Sequence, residues 1–254
     1  MTTRSVACIK WGAKFSHEHV NRLYAGVARN LPPPFRFICV TDDPSGIRPE
    51  VEVIPLEDEP FSDTVRTLLS TSKRKGAFGK VSLFKPSLFP SGGRVLGFDL
   101  DVVITGPLKD LFEVHPGKVC MRHDWLAKRR GRPDGHGSVF RFDPHLHCFL
   151  YEEFAASPGD WMRKSKFSEQ KYTSMVAQGR GAFAYFPPHW IASFKRDSMR
   201  PFPLNHLLVP RQPPEARVVC FHGNPKIEEA IEGFRSGPLR STLPCDWLKS
   251  HWAD

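Results

Sequence analysis

Apolar residues in the first half of this chain follow two patterns, short continuous runs and a spacing of three or four residues. A short apolar run between turn-forming residues is typical of a buried strand. The spacing of three or four residues is typical of a helix with one buried face. The runs predict strands at 5–10, 35–41, 51–55 and 95–98. The spaced pattern predicts a helix from Val20 to Leu31, capped by Ser16 and ended by the three prolines at 32–34.

The segment between the third and fourth predicted strands is harder to interpret. Residues 57–75 are polar and lack a clear period, which predicts a loop with one helical turn. Residues 76–89 again place apolar side chains at helical spacing, with Pro86 as an interruption. The order is therefore strand, helix, strand, strand, helix, strand. This alternation favours an α/β fold with a mixed, mostly parallel central sheet flanked by helices.

The second half continues the same mixture. Strands are predicted at 118–121, 138–142, 183–186 and 217–221, and helices at 146–154 and 167–176, whereas 122–137 is a polar loop and 191–195 is amphipathic. After the last strand, Asn224 can cap a helix, Pro225 suits its first position, and Gly233 ends it.

Polar groups follow three of the early strands. They are Lys10-Trp11-Gly12, Thr41-Asp42-Asp43 and Asp99-Leu-Asp101. Because ligands of parallel sheets bind at the carboxyl ends of the strands, these groups are expected to converge at one edge.

The pair Asp99 and Asp101 is the strongest chemical feature. Residues two apart in an extended chain share a face, so the two carboxylates repel each other unless a cation compensates them. Oxygen ligands suit a hard ion such as Mg²⁺ or Mn²⁺. Two solvated turn aspartates are the alternative interpretation.

Length and composition narrow the class of protein. With 254 residues, 40% of them hydrophobic, the chain suits one large or two small domains. It contains no apolar stretch of about 18 residues and begins without a long apolar signal segment. The expectation is a cytoplasmic protein, with the inner face of the cell membrane as a second location. Six cysteines without a Cys-x-x-Cys motif favour buried thiols over disulfides or zinc.

The net charge of +9 has basic clusters at 73–75 and 128–132. Solvated loops are one interpretation, and attraction to an anionic substrate or to an anionic membrane is the other. No nucleic-acid-binding motif accompanies the charge, so nucleic acid is not an expected partner.

The aspartate pair after its apolar strand, Lys80 before it and the later His222-Gly-Asn-Pro-Lys226 together resemble GT-A glycosyltransferases. The resemblance is especially to glycosyltransferase family 8, the glycogenin-like and bacterial galactosyltransferase-like enzymes, and runs from Val6 to about Ile231. The resemblance implies a single Rossmann-like GT-A domain over 1–254. Residues 1–106 would bind the nucleotide sugar, and 107–254 would bind the acceptor and carry the C-terminal metal and phosphate motif.

The resemblance and the strand-end positions together give three groups of candidate site residues. The metal ligands would be Asp99, Asp101 and His222, holding Mn²⁺ or Mg²⁺. The nucleotide sugar would be bound by Lys10, Trp11, Thr41, Asp42, Lys80, Asp99, Gly223 and Lys226. The acceptor residues would be Asp134, Glu169 and Gln170, where the family's Gly-Asp-Gln is reduced to Glu169-Gln170 and its Asn-Ser-Gly to Gly137-Ser138.

The implied activity is metal-dependent transfer of a sugar from a nucleoside diphosphate sugar, with a UDP-sugar favoured, to a glycan or lipid-linked acceptor. No catalytic nucleophile can be singled out. One alternative is an inactive GT-A module that binds a sugar nucleotide or a polysaccharide. Another is a haloacid-dehalogenase-like phosphatase, because Phe98-Asp99-Leu-Asp101 also resembles the first motif of that class. No Asp-Asp pair follows Asp101, as that class requires.

Overall fold

The computed structural model describes residues 4–72, 78–125 and 134–254. The strands are β1 (Arg4–Lys10), β2 (Arg36–Thr41), β3 (Glu52–Pro55), β4 (Arg94–Phe98), β5 (Val102–Ile104), β6 (Val119–His123), β7 (Gly135–Phe142), β8 (Phe183–Tyr185), β9 (Ile191–Ser193), β10 (Val218–Cys220), β11 (Phe234–Arg235) and β12 (Ser241–Thr242). The helices are α1 (His17–Asn30), α2 (Ser62–Ser70), α3 (Lys109–Glu113), α4 (Phe149–Ala156), α5 (Pro158–Lys164), α6 (Glu169–Gly179), α7 (Ile227–Glu232) and α8 (Asp246–His251). Shorter helical turns are 3₁₀ segments at Gly79–Phe84, Pro86–Leu88 and Leu204–His206 and a π-turn at Phe194–Ser198.

In the described ranges, seven strands form the main sheet in the order β3-β2-β1-β4-β7-β6-β8. The first four are parallel, β7 runs antiparallel to both β4 and β6, and β8 is parallel to β6. The expected mixed, mostly parallel sheet is confirmed. Lys10 lies opposite Thr41 and Cys8 lies opposite Phe98, so the carboxyl ends of β1, β2 and β4 meet at one edge.

The two faces of this sheet are covered by different core layers. Successive side chains of a strand point to opposite faces. On β1, Val6 and Cys8 pack with α1, whereas Ala7 packs with the aromatic layer that contains Phe84 and Tyr172. The sheet is therefore buried on both sides, which explains why its strands appear in the sequence as continuous apolar runs.

A smaller sheet in the order β5-β10-β9 joins the carboxyl end of β4 to the C-terminal part of the chain. The strand predicted at 217–221 is β10, which runs antiparallel to β5 and parallel to β9. The Phe221 N–H donates to the Asp101 carbonyl at 2.9 Å. This bond brings the residues that follow β10 next to the aspartate pair.

Several predicted elements require correction. The segment 57–75 contains the nine-residue helix α2, not one turn, because Val65, Leu68 and Leu69 pack against the aromatic layer. Residues 79–88 are 3₁₀ turns, not a regular helix, and α5, α8 and β5 were not predicted. Tertiary packing stabilises such short elements more than their own sequence does.

The helix predicted after Asn224 also begins later than expected. Its N-cap is Lys226, whose backbone N–H donates to the Glu229 carboxylate at 2.7 Å. Glu229 therefore supplies the capping interaction that the sequence had assigned to Asn224. The predicted end at Gly233 is confirmed.

The cysteines are free, and Cys8, Cys39, Cys120, Cys220 and Cys245 are buried, as expected for structural thiols. Among the described residues, no helix is long and apolar enough to cross a bilayer. The basic clusters at 73–75 and 128–132 lie outside the described ranges.

Candidate functional site

The ends of β1 and β2 are joined by hydrogen bonds between their polar residues. The Gly12 N–H donates to Asp42 Oδ2 at 2.8 Å, and Lys10 Nζ donates to the Asp43 carbonyl at 3.1 Å. Thr41 is buried and its hydroxyl donates to the same carbonyl at 3.0 Å. The predicted convergence of these strand ends is confirmed, and the bonds hold the loop that carries Trp11.

At the end of β4, Asp99 forms an ion pair with Lys80, with Nζ and Oδ1 2.6 Å apart. Lys80 also donates to the Gly137 carbonyl at 2.8 Å, and the Asp99 N–H donates to the Ser138 carbonyl at 2.9 Å. Burial by itself would raise the pKa of Asp99 and lower that of Lys80. The attraction between the two charges outweighs burial, so the pKa of Asp99 is lowered and that of Lys80 is raised.

The first turn of α6 completes this cluster. Glu169 Oε1 accepts the Val81 N–H at 3.1 Å, and Gln170 Oε1 accepts the Gly137 N–H at 3.1 Å. Burial raises the pKa of Glu169 to about 7, although the charge of Lys80 opposes the shift. Glu169 and Gln170 therefore lie beside Lys80 and Asp99. Asp134, the third predicted acceptor residue, contacts Asp124 through its backbone carbonyl, which accepts the Asp124 N–H at 3.0 Å.

Asp101 differs from Asp99 because its carboxylate makes no direct hydrogen bond or ion pair with a residue in the described ranges. Burial and then the charge of Asp99 raise its pKa to about 6, whereas Lys14, Lys80 and Lys226 act in the opposite direction. Asp101 is thus a half-buried carboxylate that no cation of the described residues contacts directly. The bond between the Phe221 N–H and the Asp101 carbonyl brings the following His222-Gly-Asn-Pro-Lys226 segment near the aspartate pair.

His222 follows β10 and is held by Ser193 at the end of β9. The Ser193 hydroxyl and His222 Nε2 are hydrogen-bonded at 2.7 Å, and the Ser193 N–H donates to Asp197 Oδ2 at 2.7 Å. The rings of Trp125 and His136 lie 5.2 and 5.9 Å from the His222 ring. Burial, with the charges of Arg196 and Lys195, lowers the pKa of His222, and burial lowers that of His136 to about 4. Both imidazoles are therefore neutral at pH 7.

The last two predicted residues lie just beyond His222. Gly223 is exposed and has a φ of 81°, a conformation that favours glycine. The Lys226 side chain is exposed at the start of α7.

Asp99, Asp101 and His222 are residue types that bind a divalent cation, but their side chains are not arranged around a common point. No three His, Cys, Asp or Glu side chains in the described ranges are arranged to hold a metal ion. Asp99 is paired with Lys80, and His222 Nε2 is paired with Ser193. Asp101, however, has carboxylate oxygens without an ion-pair partner in the described ranges, and a neutral imidazole such as that of His222 can coordinate a metal. The metal assignment thus stays a prediction.

A cleft of about 400 Å³ opens at this edge of the sheet. Its lining includes Trp11, Lys14, Lys80, Asp99 and Glu169. The volume falls within the range of about 300–1,000 Å³ that is usual for ligand sites. A second, mostly apolar pocket of about 370 Å³ lies against α2 and shares Ile9, Trp11 and Gly79 with the cleft. Trp11, with 54% of its surface exposed, borders both spaces.

Sequence reasoning missed Ser193 and Trp125, which both contact His222. Ser193 reaches His222 only because β9 pairs with β10, and Trp125 reaches it because the end of β6 lies across from the start of β7. These pairings join distant parts of the chain, so no local pattern indicates them.

No protein-family model and no curated protein sequence matches this chain. Solved structures do match it. An active-site glutamine-to-glutamate mutant of LgtC aligns with a TM-score of 0.61 and 12% identity, covering 88% of this chain and 89% of that one. The chain has the GT-A fold of glycosyltransferases.

Other solved structures with this GT-A fold include the glycosyltransferase GlyE of Streptococcus pneumoniae and mouse xyloside xylosyltransferase 1. The GlyE structure has a TM-score of 0.58 and 13% identity and covers 100% of this chain and 61% of that one. The xylosyltransferase has a TM-score of 0.52 and 13% identity and covers 87% of this chain and 98% of that one. LgtC is described as a galactosyltransferase, also solved with donor and acceptor sugar analogues. The GT-A fold agrees with the fold that the resemblance in the sequence implied.

The raised pKa of Glu169 gives a prediction for stability against pH. A carboxyl group whose pKa rises on folding contributes stability that is complete below its ordinary pKa of 4.5 and is lost as the pH rises through about 7. Glu169→Gln cannot ionise and keeps an oxygen for the Val81 N–H. Its free energy of unfolding relative to wild type should therefore increase between about pH 5 and pH 8, by on the order of 1–3 kcal/mol.

Urea denaturation of wild type and Glu169→Gln at both pH values measures this difference. Glu232→Gln, at an exposed carboxylate of α7, is the matched control and should show no such trend. The same difference between variant and wild type at both pH values would mean that Glu169 ionises as freely in the folded chain as in the unfolded one.

Proposed function

We propose that this protein is a metal-dependent glycosyltransferase that moves a sugar from a nucleoside diphosphate sugar, with a UDP-sugar favoured, to a glycan or lipid-linked acceptor. The observation that carries the proposal is the cluster of Lys80, Asp99 and Asp101 at the carboxyl edge of the parallel strands in a GT-A fold. A ligand at this edge would meet both carboxylates and a fixed cation.

Transfer from such a donor leaves a nucleoside diphosphate, so the site must stabilise negative charge on the phosphates. Lys14 and Lys226 supply cationic side chains near Asp101, and Lys80 is held by Asp99 and Gly137. A divalent ion held by Asp99, Asp101 and His222 would supply further charge neutralisation to the leaving diphosphate. The His222 ring, neutral at pH 7, is positioned beside them by Ser193.

Residues on either side of this cluster would bind the other parts of the substrates. The exposed indole of Trp11 offers an apolar face to a nucleobase or sugar, and the bonds of Lys10, Thr41 and Asp42 fix the loop that carries it. Gly223 has no side chain to keep the phosphates from its backbone. On the opposite side, Glu169 and Gln170 would meet the acceptor. The pKa of Glu169, about 7, suits proton exchange with an acceptor hydroxyl.

The proposal is tested by thermal-shift measurements with UDP, GDP and ADP, each with and without Mn²⁺. A ligand that binds only the folded chain raises the melting temperature, so the favoured base appears as the largest shift. We expect UDP with Mn²⁺ to give the largest increase in melting temperature and Lys80→Met to reduce that increase. Lys249→Met, at an exposed lysine of α8, is the matched control and should behave like wild type. If none of the nucleotides raises the melting temperature, the proposal fails.

A second candidate is a GT-A module that binds a sugar nucleotide without transferring the sugar. It is favoured by the pairing of His222 Nε2 with Ser193 and by the lack of a three-residue metal group in the described ranges. Hydrolysis of UDP-sugars in the presence of Mn²⁺ distinguishes the two candidates. Nucleotide binding without any release of UDP from UDP-glucose or UDP-galactose would favour the binding module.

A further inference from the structure

Two segments near the C-terminus expose an unusual number of apolar side chains. Of the eight large apolar side chains that the described residues expose, all but Trp11 and Leu146 belong to residues 199–211 or 234–242. They are Phe202, Leu204, Leu207, Leu208, Val209 and Leu239. We call these two segments the docking face. Exposed apolar side chains that cluster in this way are typical of a surface that binds a protein or a membrane.

The docking face is held in place by buried hydrogen bonds. The buried Asn205 side chain donates to the Pro238 carbonyl at 3.0 Å and to the Ser241 hydroxyl at 2.8 Å. The ring of His206 contacts the Pro238 carbonyl through Nε2 at 2.9 Å. These bonds place Leu239 beside the 3₁₀ turn at Leu204–His206. The exposed leucines therefore sit on a fixed platform and not on a loose loop.

The charge of the docking face has one sign. The two segments contain Arg200, Arg211, Arg235 and Arg240 and no aspartate or glutamate. Within the described ranges, none of these arginines forms an ion pair with a carboxylate. The surface thus combines apolar side chains with uncompensated positive charge.

Apolar side chains together with positive charge indicate which kind of partner binds the docking face. A second copy of the chain would bring the same arginines together across a two-fold axis, where they would repel each other. A membrane with anionic lipids supplies both an apolar layer for the leucines and a negative surface for the arginines. We propose that the docking face binds the surface of a membrane that contains anionic lipids.

The docking face is connected to the candidate site. The π-turn at Phe194–Ser198 follows Ser193, the residue that holds His222, and the Arg211 N–H donates to the Ser198 carbonyl at 3.0 Å. A membrane on this face would therefore lie against the part of the chain that supports His222. Membrane binding itself does not depend on the proposed function, and its test uses no sugar nucleotide.

The test is flotation of the full chain with vesicles of phosphatidylcholine alone and with vesicles that also contain phosphatidylglycerol. Wild type should float with the anionic vesicles, and Leu207→Gln combined with Leu239→Gln should lower the partition coefficient by at least about tenfold. Both leucines have more than two thirds of their surface exposed, at 71% and 72%, so the variant should fold normally. Leu146→Gln, at a leucine with 62% of its surface exposed outside the docking face, is the matched control and should float like wild type.

The contribution of the arginines to membrane binding is tested with Arg235→Gln combined with Arg240→Gln. This variant should bind anionic vesicles about tenfold more weakly, and its binding should depend less on the salt concentration. Thermal-shift measurements with UDP and Mn²⁺ on the same variants test the proposed function separately from membrane binding. Either proposal can fail while the other is supported, because the two measurements share no ligand. Absence of flotation by wild type overturns the membrane proposal. It is also overturned if the leucine variant floats undiminished, or if wild type sediments as a dimer that this variant disrupts.

Discussion

Asp101→Asn should lower the affinity for UDP in the presence of Mn²⁺ by about 100-fold or more. Loss of a residue that only supports a metal ligand commonly costs about 10- to 100-fold, and loss of a ligand should cost at least as much. The amide keeps the size of the side chain but removes the charge that would attract the ion. Isothermal titration calorimetry of UDP into protein with excess Mn²⁺, and again with a chelator, measures the change.

The same substitution should leave the fold intact, which makes the result interpretable. Because burial and Asp99 raise the pKa of Asp101 to about 6, its ionised form lowers stability above that pH. Asparagine removes this cost, so the melting temperature at pH 8 should stay equal or rise. Asp160→Asn, at an exposed aspartate paired with Arg163 on the surface, is the control. Metal-dependent UDP affinity equal to that of wild type would remove Asp101 from the metal site.

Arg141→Met should cause the largest loss of stability among the substitutions considered. Arg141 is fully buried on β7. Its guanidinium donates to the carbonyls of Phe112, His115 and Lys118 at 3.1, 2.6 and 2.8 Å. Each charged hydrogen bond contributes about 1.5–3 kcal/mol, but removing the guanidinium also removes the cost of burying its charge, so a net loss of about 3–5 kcal/mol is expected. For a chain of this size, that lowers the melting temperature by about 6–20 °C.

Two further variants distinguish the loss of the guanidinium hydrogen bonds from a general effect of replacing an arginine. Arg141→Lys keeps the charge but cannot span the three carbonyls, so its melting temperature should lie between those of wild type and Arg141→Met. Arg163→Met, on the surface of α5, should change the free energy of unfolding by less than about 0.5 kcal/mol. Differential scanning calorimetry compares the four proteins. Similar melting temperatures for wild type and Arg141→Met would show that these hydrogen bonds contribute little net stability.

The position of Arg141 connects stability to the site. It pairs with Leu96 of β4 in the sheet, on the strand that also carries Ser138. The Ser138 carbonyl accepts the Asp99 N–H. A loosened β7 would therefore loosen the contact that orients Asp99, and UDP affinity of Arg141→Met should be measured well below its melting temperature.

The sequence alone determined the central sheet and one edge of it. Continuous apolar runs ended by polar residues identified β1, β2 and β4, because a strand that is buried on both faces has apolar side chains at successive positions. Parallel order then required Lys10, Thr41 and Asp99 to lie at the same edge, as they do. The spacing of Asp99 and Asp101 likewise indicated a charged site before any contact was known.

Only the tertiary structure decided which distant residues complete that edge. Glu169 and Gln170 reach Lys80 and Asp99 because α6 packs beside β7, and Ser193 reaches His222 because β9 pairs with β10. Helix α2 and the docking face also depend on packing between segments far apart in the chain. The local sequence pattern indicates which face of a helix or strand is apolar, but it does not indicate which other element packs against that face. The partner follows from the free energy of the whole packed core, to which distant residues contribute jointly.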